Sequence, residues 1–472
     1  MVGSRAVFVV ILVGGASIAM GCGGGGGAVT INKIVPQSSS QQQNVMVIDQ
    51  GIDLTASDLQ GRVAATYTET CVEDSSDAGA AGPGGVVDGG PAFDALKQMY
   101  LAALSHPDDS CHLTTGIKAK ADPLASIAQY KSRWNAMVRA NQTPPQAFSS
   151  AEIMKLMGPI NTEFGSFGYH GTATSTTVAH ANENVRLVLV ERELGSESSL
   201  QTNFPCIAQA DINQIVDLLN DPQIYAAFVN QPASIDSELA AAQTMYDVGI
   251  VNESFGAASR EALETLQQKY CPVPVDLSAY FALIDKVTNE HNATISGPAL
   301  LTVVAAGNDG SRIDSGSDSL SCDLGDPRSL LVGAYNPGTL VQNTFSDYGA
   351  CVNVFAPGQA IVVEYAGGWL TWASGTSFAA PLTARYASMT ATSPFDPATA
   401  RAAVVAKADP TSHFLPVGLF PSDFFFVPGT QYPEFVVPAI GARAAASVRP
   451  PTKYELHRVL GPLNRLKRLQ GR

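Results

Sequence analysis

Short apolar runs recur along the chain and are separated by longer stretches of helix-like composition. The runs are rich in β-branched residues and lie at residues 45–48, 185–190, 249–251, 300–305 and 330–332. Stretches rich in Ala, Leu, Gln and Glu lie between some of them, for example at residues 234–246 and 258–269. A continuous apolar run is typical of a strand buried on both faces of a parallel sheet. The pattern therefore predicts an α/β protein with a mainly parallel central sheet.

The same pattern suggests how the chain is divided. The predicted strands and the helix-like stretches between them belong to one unit in the middle of the chain. Within this unit, residues 73–91 are rich in Gly, Ala and Asp, which indicates a loop. Helix-like segments at 92–104 and 123–138 follow that loop. We therefore expect residues 71–165 to pack as an inserted subdomain.

Both ends of the chain differ from this middle part. Arg5 precedes an apolar run that is shorter than the ~20 residues of a membrane-spanning helix, as in a secretory signal. The run ends at Ala19-Met20-Gly21-Cys22, which resembles a bacterial lipobox, and glycines follow. We interpret residues 1–22 as a signal with lipidation of Cys22, and residues 23–43 as a flexible tether. The alternative is an ordinary signal in which Cys22 is incidental.

These features predict an exported protein, either secreted or a bacterial envelope lipoprotein (outer membrane if Gram-negative) held to the membrane through Cys22. Residues 441–472 carry eight Lys or Arg and one acid, Glu455. Gly461-Pro462 interrupts any helix there, which favours a solvated basic tail over a lipid-binding helix. The net charge of −14 argues against nucleic acid as a partner.

The cysteines support export. Of seven in the chain, six remain when Cys22 is set aside, and an even number in an exported protein suggests disulfides. The spacing of Cys and His does not match that of zinc ligands, so we expect no structural metal cluster.

Four segments carry candidate chemistry. Asp49 follows the first predicted strand, where α/β sheets place active-site residues. His170 precedes Gly-Thr, a sequence that can place an imidazole at a helix N-terminus, and Asn308 follows a strand in a Gly-Asn turn. Ser377 lies among small residues in ASGTSFAAP, where a following helix would direct its N-terminal amides at an oxyanion. Each segment alone is also compatible with an ordinary turn or a surface residue.

In the order Asp, His, Asn, Ser, the four segments together resemble the subtilisin-like serine proteases (subtilases, peptidase family S8). This resemblance implies a catalytic domain with the subtilisin-like three-layer α/β fold over residues 44–400. Residues 401–440 are then the C-terminal part of that domain or an extension. The resemblance also implies a serine endopeptidase with the triad Asp49, His170 and Ser377, and an oxyanion hole from Asn308 and the Ser377 backbone N–H. Such an enzyme cleaves proteins or peptides and needs no cofactor for catalysis; we expect a monomer.

Further segments extend the resemblance. DVGIVNESFG, residues 247–256, resembles the strand that pairs with substrate backbone. The implied pocket for the side chain before the cleaved bond is lined by Ser254, Phe255, Gly256, Ala305, Ala306 and Gly307, with Gly325 at its floor. These small residues predict a preference for a large apolar side chain. The neighbouring Asp326 would favour Arg or Lys instead if its carboxylate entered the pocket.

The resemblance also bears on cysteines and ions. Cys322 and Cys351 lie where the branch related to proteinase K has a disulfide. We further hypothesise Cys71–Cys111 within the insertion, and Cys206–Cys271 by exclusion. Asp58 resembles a calcium-binding position of some subtilases, which allows a structural calcium, although a solvated acid is the simpler interpretation. Gln50 and Ala173 depart from the usual family residues outside the triad.

Two alternatives remain. Gly375-x-Ser377-x-Ala379 partly fits the nucleophile turn of an α/β-hydrolase esterase, whose partners would be Asp409 and His413. That assignment leaves His170 and Asn308 without a role. The other alternative is a catalytically silent surface lipoprotein that uses the fold for binding.

Overall fold

The structure is a computed structural model that describes most of residues 43–421. The described ranges are 43–71, 97–98, 111–140, 142, 144–164, 169–192, 208–230, 234–254, 259–271, 273–294, 300–316, 318–319, 322 and 326–421. The predicted signal, lipidation site Cys22, most of the tether, the loop 73–91, most of the predicted helix 92–104 and the basic tail lie outside the described residues. Those predictions remain predictions.

A mainly parallel sheet forms the centre of the molecule. Its strands are β1 Gln43–Asp49, β2 Val63–Cys71, β3 Cys111–Thr115, β4 Val185–Arg192, β5 Val248–Glu253, β6 Leu301–Ala305, β7 Ser329–Asn336, β8 Val341–Gln342 and β9 Val354–Pro357. The order is β3-β2-β4-β1-β5-β6-β7-β8, and β9 also pairs with β7. Among the described strands of this sheet, only the pairs β2–β3 and β7–β8 are antiparallel. Each of the apolar runs falls on a strand, namely β1, β4, β5, β6 and β7.

Helices cover both faces of this sheet. They are α1 Lys131–Arg139, α2 Pro144–Ala147, α3 Ser150–Phe164, α4 His170–Ala179, α5 Gln209–Asn220, α6 Pro222–Val229, α7 Ser234–Met245, α8 Arg260–Tyr270, α9 Ser278–Thr294, α10 Thr376–Thr390 and α11 Pro397–Val405. Val45 and Val47 of β1 pack in one cluster with Phe378 of α10. Met46 points to the other face, where Gln243 of α7 lies 3.6 Å from its sulfur. The result is the expected three-layer α/β arrangement.

The helical part of the insertion packs on a hairpin outside the main sheet, while its strand β3 forms an edge of that sheet. This hairpin consists of β10 Ile361–Tyr365 and β11 Trp369–Ala373, joined by the turn Ala366–Gly368. Trp134 of α1 is buried in one cluster with Trp369 and Trp372. Its indole Nε1 donates to the carbonyl of Leu370 at 2.8 Å. The insertion therefore has an aromatic core that it shares with the hairpin leading to Ser377.

One of the expected disulfides is directly visible. Cys322 and Cys351 are bonded with their Cα atoms 5.2 Å apart. Cys271 is also disulfide-bonded, while Cys206 lies outside the described residues. Cys71 and Cys111 face each other in the backbone register of β2 and β3, and their side chains are not among those described. In the described part of the chain, no helix has the length and apolar character needed to cross a membrane.

Candidate active site

Asp49 is the last residue of β1 and is fully buried. Its Oδ1 accepts a hydrogen bond from the Gln50 backbone N–H at 2.7 Å. Its Oδ2 accepts from the Thr174 hydroxyl at 2.8 Å. A buried carboxylate with both oxygens engaged has a fixed orientation, so it can orient a partner in turn.

His170 is that partner. It begins α4, its side chain is 3% exposed, and its Nδ1 lies 2.8 Å from Oδ1 and 3.0 Å from Oδ2 of Asp49. Carboxylate oxygens accept hydrogen bonds, so this contact favours the tautomer with the proton on Nδ1 and with Nε2 as the acceptor atom. This tautomer is the one that a general base needs.

Gly171 explains how the helix reaches so close to Asp49. Its backbone N–H donates to the carbonyl of Gln50 at 2.5 Å. A Cβ at this position would lie 2.5 Å from that oxygen and 2.8 Å from Cγ1 of Ile52. Any side chain would therefore push α4 away from the loop that follows β1. Thr172 completes the contact by accepting from the Asp53 N–H and donating to the Gly51 carbonyl.

Ser377 lies in the first turn of α10, behind Gly375, which has a φ of 150°. Its side chain is largely buried, with 7% exposure. The next residue, Phe378, packs against the His170 ring with a centroid distance of 5.6 Å. Since α10 also packs along α4, the helix brings the serine and the histidine to the same end of the sheet.

The side chain of Asn308 is hydrogen-bonded to the first residue of α10, the helix that carries Ser377. Its Oδ1 accepts from the Thr376 N–H at 2.8 Å and from the Thr376 hydroxyl at 3.0 Å. These two donors identify the oxygen and so direct Nδ2, the donor, away from Thr376. Nδ2 would lie 3.5 Å from a Cβ at Gly375, which is two residues before Ser377. The amide donor therefore lies beside Gly375, at the start of the segment that carries Ser377, and this position is compatible with the predicted oxyanion role.

The residues expected to bind substrate are described in part. Ser254 follows β5, is buried, and accepts from the side-chain amide of Asn252 at 2.8 Å. Ala305 and Ala306 are buried at the end of β6, and Gly307 has a φ of 122°. The remaining predicted residues, Phe255, Gly256 and Gly325, lie outside the described residues.

Asp326 engages a basic partner. Its Oδ1 lies 2.9 Å from Nε of Arg328, and its Oδ2 lies 3.4 Å from Nη2 of the same side chain. The carboxylate also accepts from the Arg328 backbone N–H at 2.9 Å. The negative charge that would favour basic substrates is therefore compensated by Arg328.

The residues of the esterase alternative lie elsewhere. Asp409 and His413 are exposed. Backbone N–H groups of Ser412 and Thr411 hydrogen-bond the Asp409 carboxylate and lower its pKa. The carbonyl of His413 accepts from Phe355. Asp409 and His413 therefore belong to an exposed turn, in which the Asp409 carboxylate is bonded to N–H groups of the same turn. His170, in contrast, has a buried carboxylate partner, as a triad requires.

The possible calcium ligand has a protein partner as well. The Asp58 carboxylate lies 2.7 Å from Nδ1 of His180, and both side chains are partly buried. Among the described residues, no group of three or more His, Cys, Asp and Glu is placed to hold a metal ion.

Sequence patterns did not reveal the roles of Thr172 and Thr174. Both lie on α4 with His170 and Gly171, in the segment HGTAT. All ten residues of this helix are buried, and hydroxyl groups in so buried a helix need partners. The available signal was the pair of hydroxyl residues that follows His-Gly in this segment, because buried hydroxyl groups predict hydrogen bonds to neighbouring elements.

Comparisons with known proteins agree with the motifs. The model of the subtilase family matches residues 40–418. The chain is 37% identical over 93 residues to alkaline serine protease ver112 of Corniculantispora psalliotae, which is 20% of this chain and 23% of that protein. It is 42% identical over 83 residues to a subtilisin-like protease of Coccidioides posadasii (strain C735), or 17% and 19% of the two chains. These matches span less than a quarter of each curated relative.

Solved structures of similar proteins were also found. A cold adapted subtilisin-like serine proteinase is 15% identical, with a TM-score of 0.34 and coverage of 85% of this chain and 96% of the other. The protease domain of PatA is 15% identical, with a TM-score of 0.38 and coverage of 81% and 96%. The family model alone covers most of the chain, including Asp49, His170, Asn308 and Ser377. The chain belongs to the subtilase family.

Proposed function

We propose that this protein is a serine endopeptidase that hydrolyses peptide bonds of proteins or peptides through an acyl-enzyme. The observation that carries the proposal is the buried pair of Asp49 and His170 beside the helix that bears Ser377. Asn308, tied to the residue before Ser377, adds an amide donor for the oxyanion. The subtilase family supports the same reaction.

Each side chain has a defined role in this reaction. Ser377 Oγ attacks the scissile carbonyl carbon while Nε2 of His170 takes the hydroxyl proton. Asp49 holds the imidazole in the required tautomer and stabilises the imidazolium. The carbonyl oxygen becomes an oxyanion that accepts from Nδ2 of Asn308 and the N–H of Ser377. His170 then protonates the leaving amine, and water hydrolyses the acyl-enzyme by the same steps.

The decisive experiment compares casein hydrolysis by the wild type with that by Ser377→Ala. Ser132→Ala, on the exposed surface of α1, serves as the control for preparation and folding. We expect Ser377→Ala to lose nearly all activity and Ser132→Ala to retain it. Hydrolysis that persists in Ser377→Ala, or a wild type that cleaves small esters but no peptide, would contradict the proposal.

We further propose that the enzyme acts after export, secreted or anchored through a lipidated Cys22. The support is the sequence of residues 1–22 and the disulfide between Cys322 and Cys351, which suits an oxidising compartment. Membrane fractionation tests the anchor, with Cys22→Ala expected in the soluble fraction. A Cys22→Ala variant that stays with the membrane would place the anchor elsewhere.

We also propose that catalysis needs no cofactor, and that any calcium near Asp58 is structural. Activity should then persist in chelator at moderate temperature. A complete and immediate loss of activity on chelation, restored by calcium, would contradict this proposal.

A further inference from the structure

The turn that presents Asn308 is attached to the loop between β8 and β9. Gly310 donates its N–H to the carbonyl of Phe345 at 2.8 Å, and Asp347 donates to the carbonyl of Gly307 at 3.1 Å. Tyr348 donates to the carbonyl of Ser311 at 3.0 Å. These backbone bonds align the turn, residues 307–311, with residues 345–348.

The side chain of Asp347 reaches into this turn. It is 1% exposed, and its Oδ1 accepts from the N–H of Ser311 at 2.8 Å and of Asp309 at 3.1 Å. Its Oδ2 lies against Gly307, where an added Cβ would be 2.2 Å from that oxygen. The carboxylate therefore contacts the residues on both sides of Asn308.

We propose that Asp347 is a positioning residue for the oxyanion hole, and that its buried carboxyl group fixes the turn so that Nδ2 of Asn308 meets the developing oxyanion. The inference rests on the proposed peptidase function. Two groups then fix the position of Asn308. Thr376 hydrogen-bonds its side-chain oxygen, and Asp347 contacts the residues before and after it in the backbone. Misplacing a catalytic donor by about 1 Å can cost ~10²-fold in rate.

The charge of Asp347 provides a second readout. Burial and the carboxylate of Asp309 raise its pKa well above the usual range, and the carboxylate of Glu261 has a smaller effect in the same direction. The N–H groups of Ser311 and Asp309 oppose the shift. A neutral carboxyl can still accept both N–H groups at Oδ1 when its proton is on Oδ2. Asparagine can replace it in the same way, without the charge.

The pH dependence has a definite sign. A raised pKa in the folded state contributes stability that is present below the unfolded value and is lost as pH rises through the folded value. Asp347→Asn removes this loss. The stability of Asp347→Asn relative to the wild type should therefore increase as pH rises, whereas a carboxyl group with a lowered pKa in the folded state would give the opposite trend.

Kinetic measurements on Asp347→Ala and Asp347→Asn test the positioning role. We expect Asp347→Ala to lower kcat by ~10–100-fold with KM changed less than about threefold, because the lost interaction acts in the transition state. Asp347→Asn should remain within about threefold of the wild type. A peptide aldehyde, which forms the tetrahedral adduct, should bind Asp347→Ala more weakly by about the factor lost from kcat.

Ser346→Ala is the matched control. Ser346 is the buried neighbour of Asp347, and its hydroxyl accepts from the N–H of Ala334 on β7 at 2.8 Å and donates to the backbone carbonyl of Asp347 at 3.0 Å, whereas the Asp347 carboxylate accepts from the turn. Ser346→Ala should lower stability and leave kcat nearly unchanged. An equal loss of kcat in Ser346→Ala would show that general destabilisation, and not positioning, explains Asp347→Ala.

A double-mutant cycle with Asn308 completes the test. In an Asn308→Ala background, Asp347→Ala should cost less than about threefold in kcat, since the donor that it positions is gone. Full additivity of the two losses, or wild-type kcat in Asp347→Ala, would overturn the inference. If Asp347→Ala does not fold, Asp347→Ser takes its place, because its hydroxyl is too short to reach both N–H groups. An inactive wild type would instead refute the proposed function itself.

Discussion

The proposed catalytic centre and the inserted region are stabilised by two different kinds of interaction. Around the centre, short hydrogen bonds join groups far apart in sequence, such as Thr174 to Asp49 and Thr376 to Asn308. In the insertion, Trp134 packs in an apolar cluster with Trp369 and Trp372 of the hairpin. The hydrogen bonds of the centre fix the orientation of its side chains, whereas the cluster in the insertion stabilises the fold by burying apolar surface.

This difference implies that the two regions respond differently to substitution. A buried hydrogen bond can set the position of a reacting group to within a fraction of an ångström, while apolar burial stabilises without preferring one direction. Substitutions in the centre should therefore change the rate more than the stability. Substitutions in the insertion should change the stability more than the rate.

The largest expected effect comes from the centre itself. His170→Ala and Asp49→Asn should each lower kcat by ~10⁴-fold or more, because the proton transfer loses its base or the base loses its tautomer. The double variant Ser377→Ala/His170→Ala should be little worse than either single one. Peptidase assays with melting curves measure both effects. Near-wild-type turnover in His170→Ala would contradict the account.

The converse effect is expected in the insertion. Trp134→Ala should lower the free energy of unfolding by about 3–5 kcal/mol, since it empties a buried aromatic site. The rate per folded molecule should stay within about threefold. Denaturant titration measures the stability, with Met154→Ala, 77% exposed on α3, as a control expected within about 0.5 kcal/mol. A large fall in kcat at full folding would remove the distinction between the regions.

Lys120 joins the two regions and should give an intermediate effect. Its Nζ lies 2.9 Å from Oε1 of Glu191, and that oxygen accepts from the N–H of Ile52 at 2.9 Å. Glu191 lies opposite Asp49 in the register of β4 and β1, so the insertion supports the loop behind the catalytic carboxylate.

We expect Lys120→Met to cost about 1–2 kcal/mol of stability, because the buried Glu191 loses a charged hydrogen-bond partner. The value of kcat should fall several-fold as the loop loosens. Lys118→Met is the control, since Lys118 is exposed and makes no ion pair among the described residues. Equal behaviour of the two variants would show that the insertion does not support the centre.

The smallest effect is expected at Asp326. Because Arg328 compensates its carboxylate, Asp326→Asn should change the ratio of kcat/KM for Phe and Arg peptides by less than about threefold. Matched peptides with Phe, Leu, Ala or Arg before the scissile bond measure the ratio, and we expect the apolar residues to be preferred. An Arg preference of tenfold that Asp326→Asn abolishes would place this carboxylate in the pocket.

The apolar runs predicted β1, β4, β5, β6 and β7, because these strands are buried on both faces. They did not predict β2, whose sequence VAATYTETC contains many polar residues. One of these, Glu69, is buried and contacts Arg192 of β4 at 2.5 Å. A polar side chain with a partner over a hundred residues away leaves no local signal.

The candidate site follows the same rule. The motifs identified the residues that we propose to react, since short segments determine their local geometry. They did not identify Thr174, Lys120 or Asp347, because each acts through a contact made only in the folded chain. The packing of the insertion on the hairpin was likewise absent from the local sequence pattern.

Labelling with a fluorophosphonate tests the central claim most directly, because it requires a serine activated by a base. The modified residue is identified by mass spectrometry in the wild type, His170→Ala and His413→Ala. We predict modification of Ser377 in the wild type and His413→Ala, and a loss of labelling in His170→Ala. Labelling that survives in His170→Ala, or that disappears in His413→Ala, would contradict the triad of Asp49, His170 and Ser377.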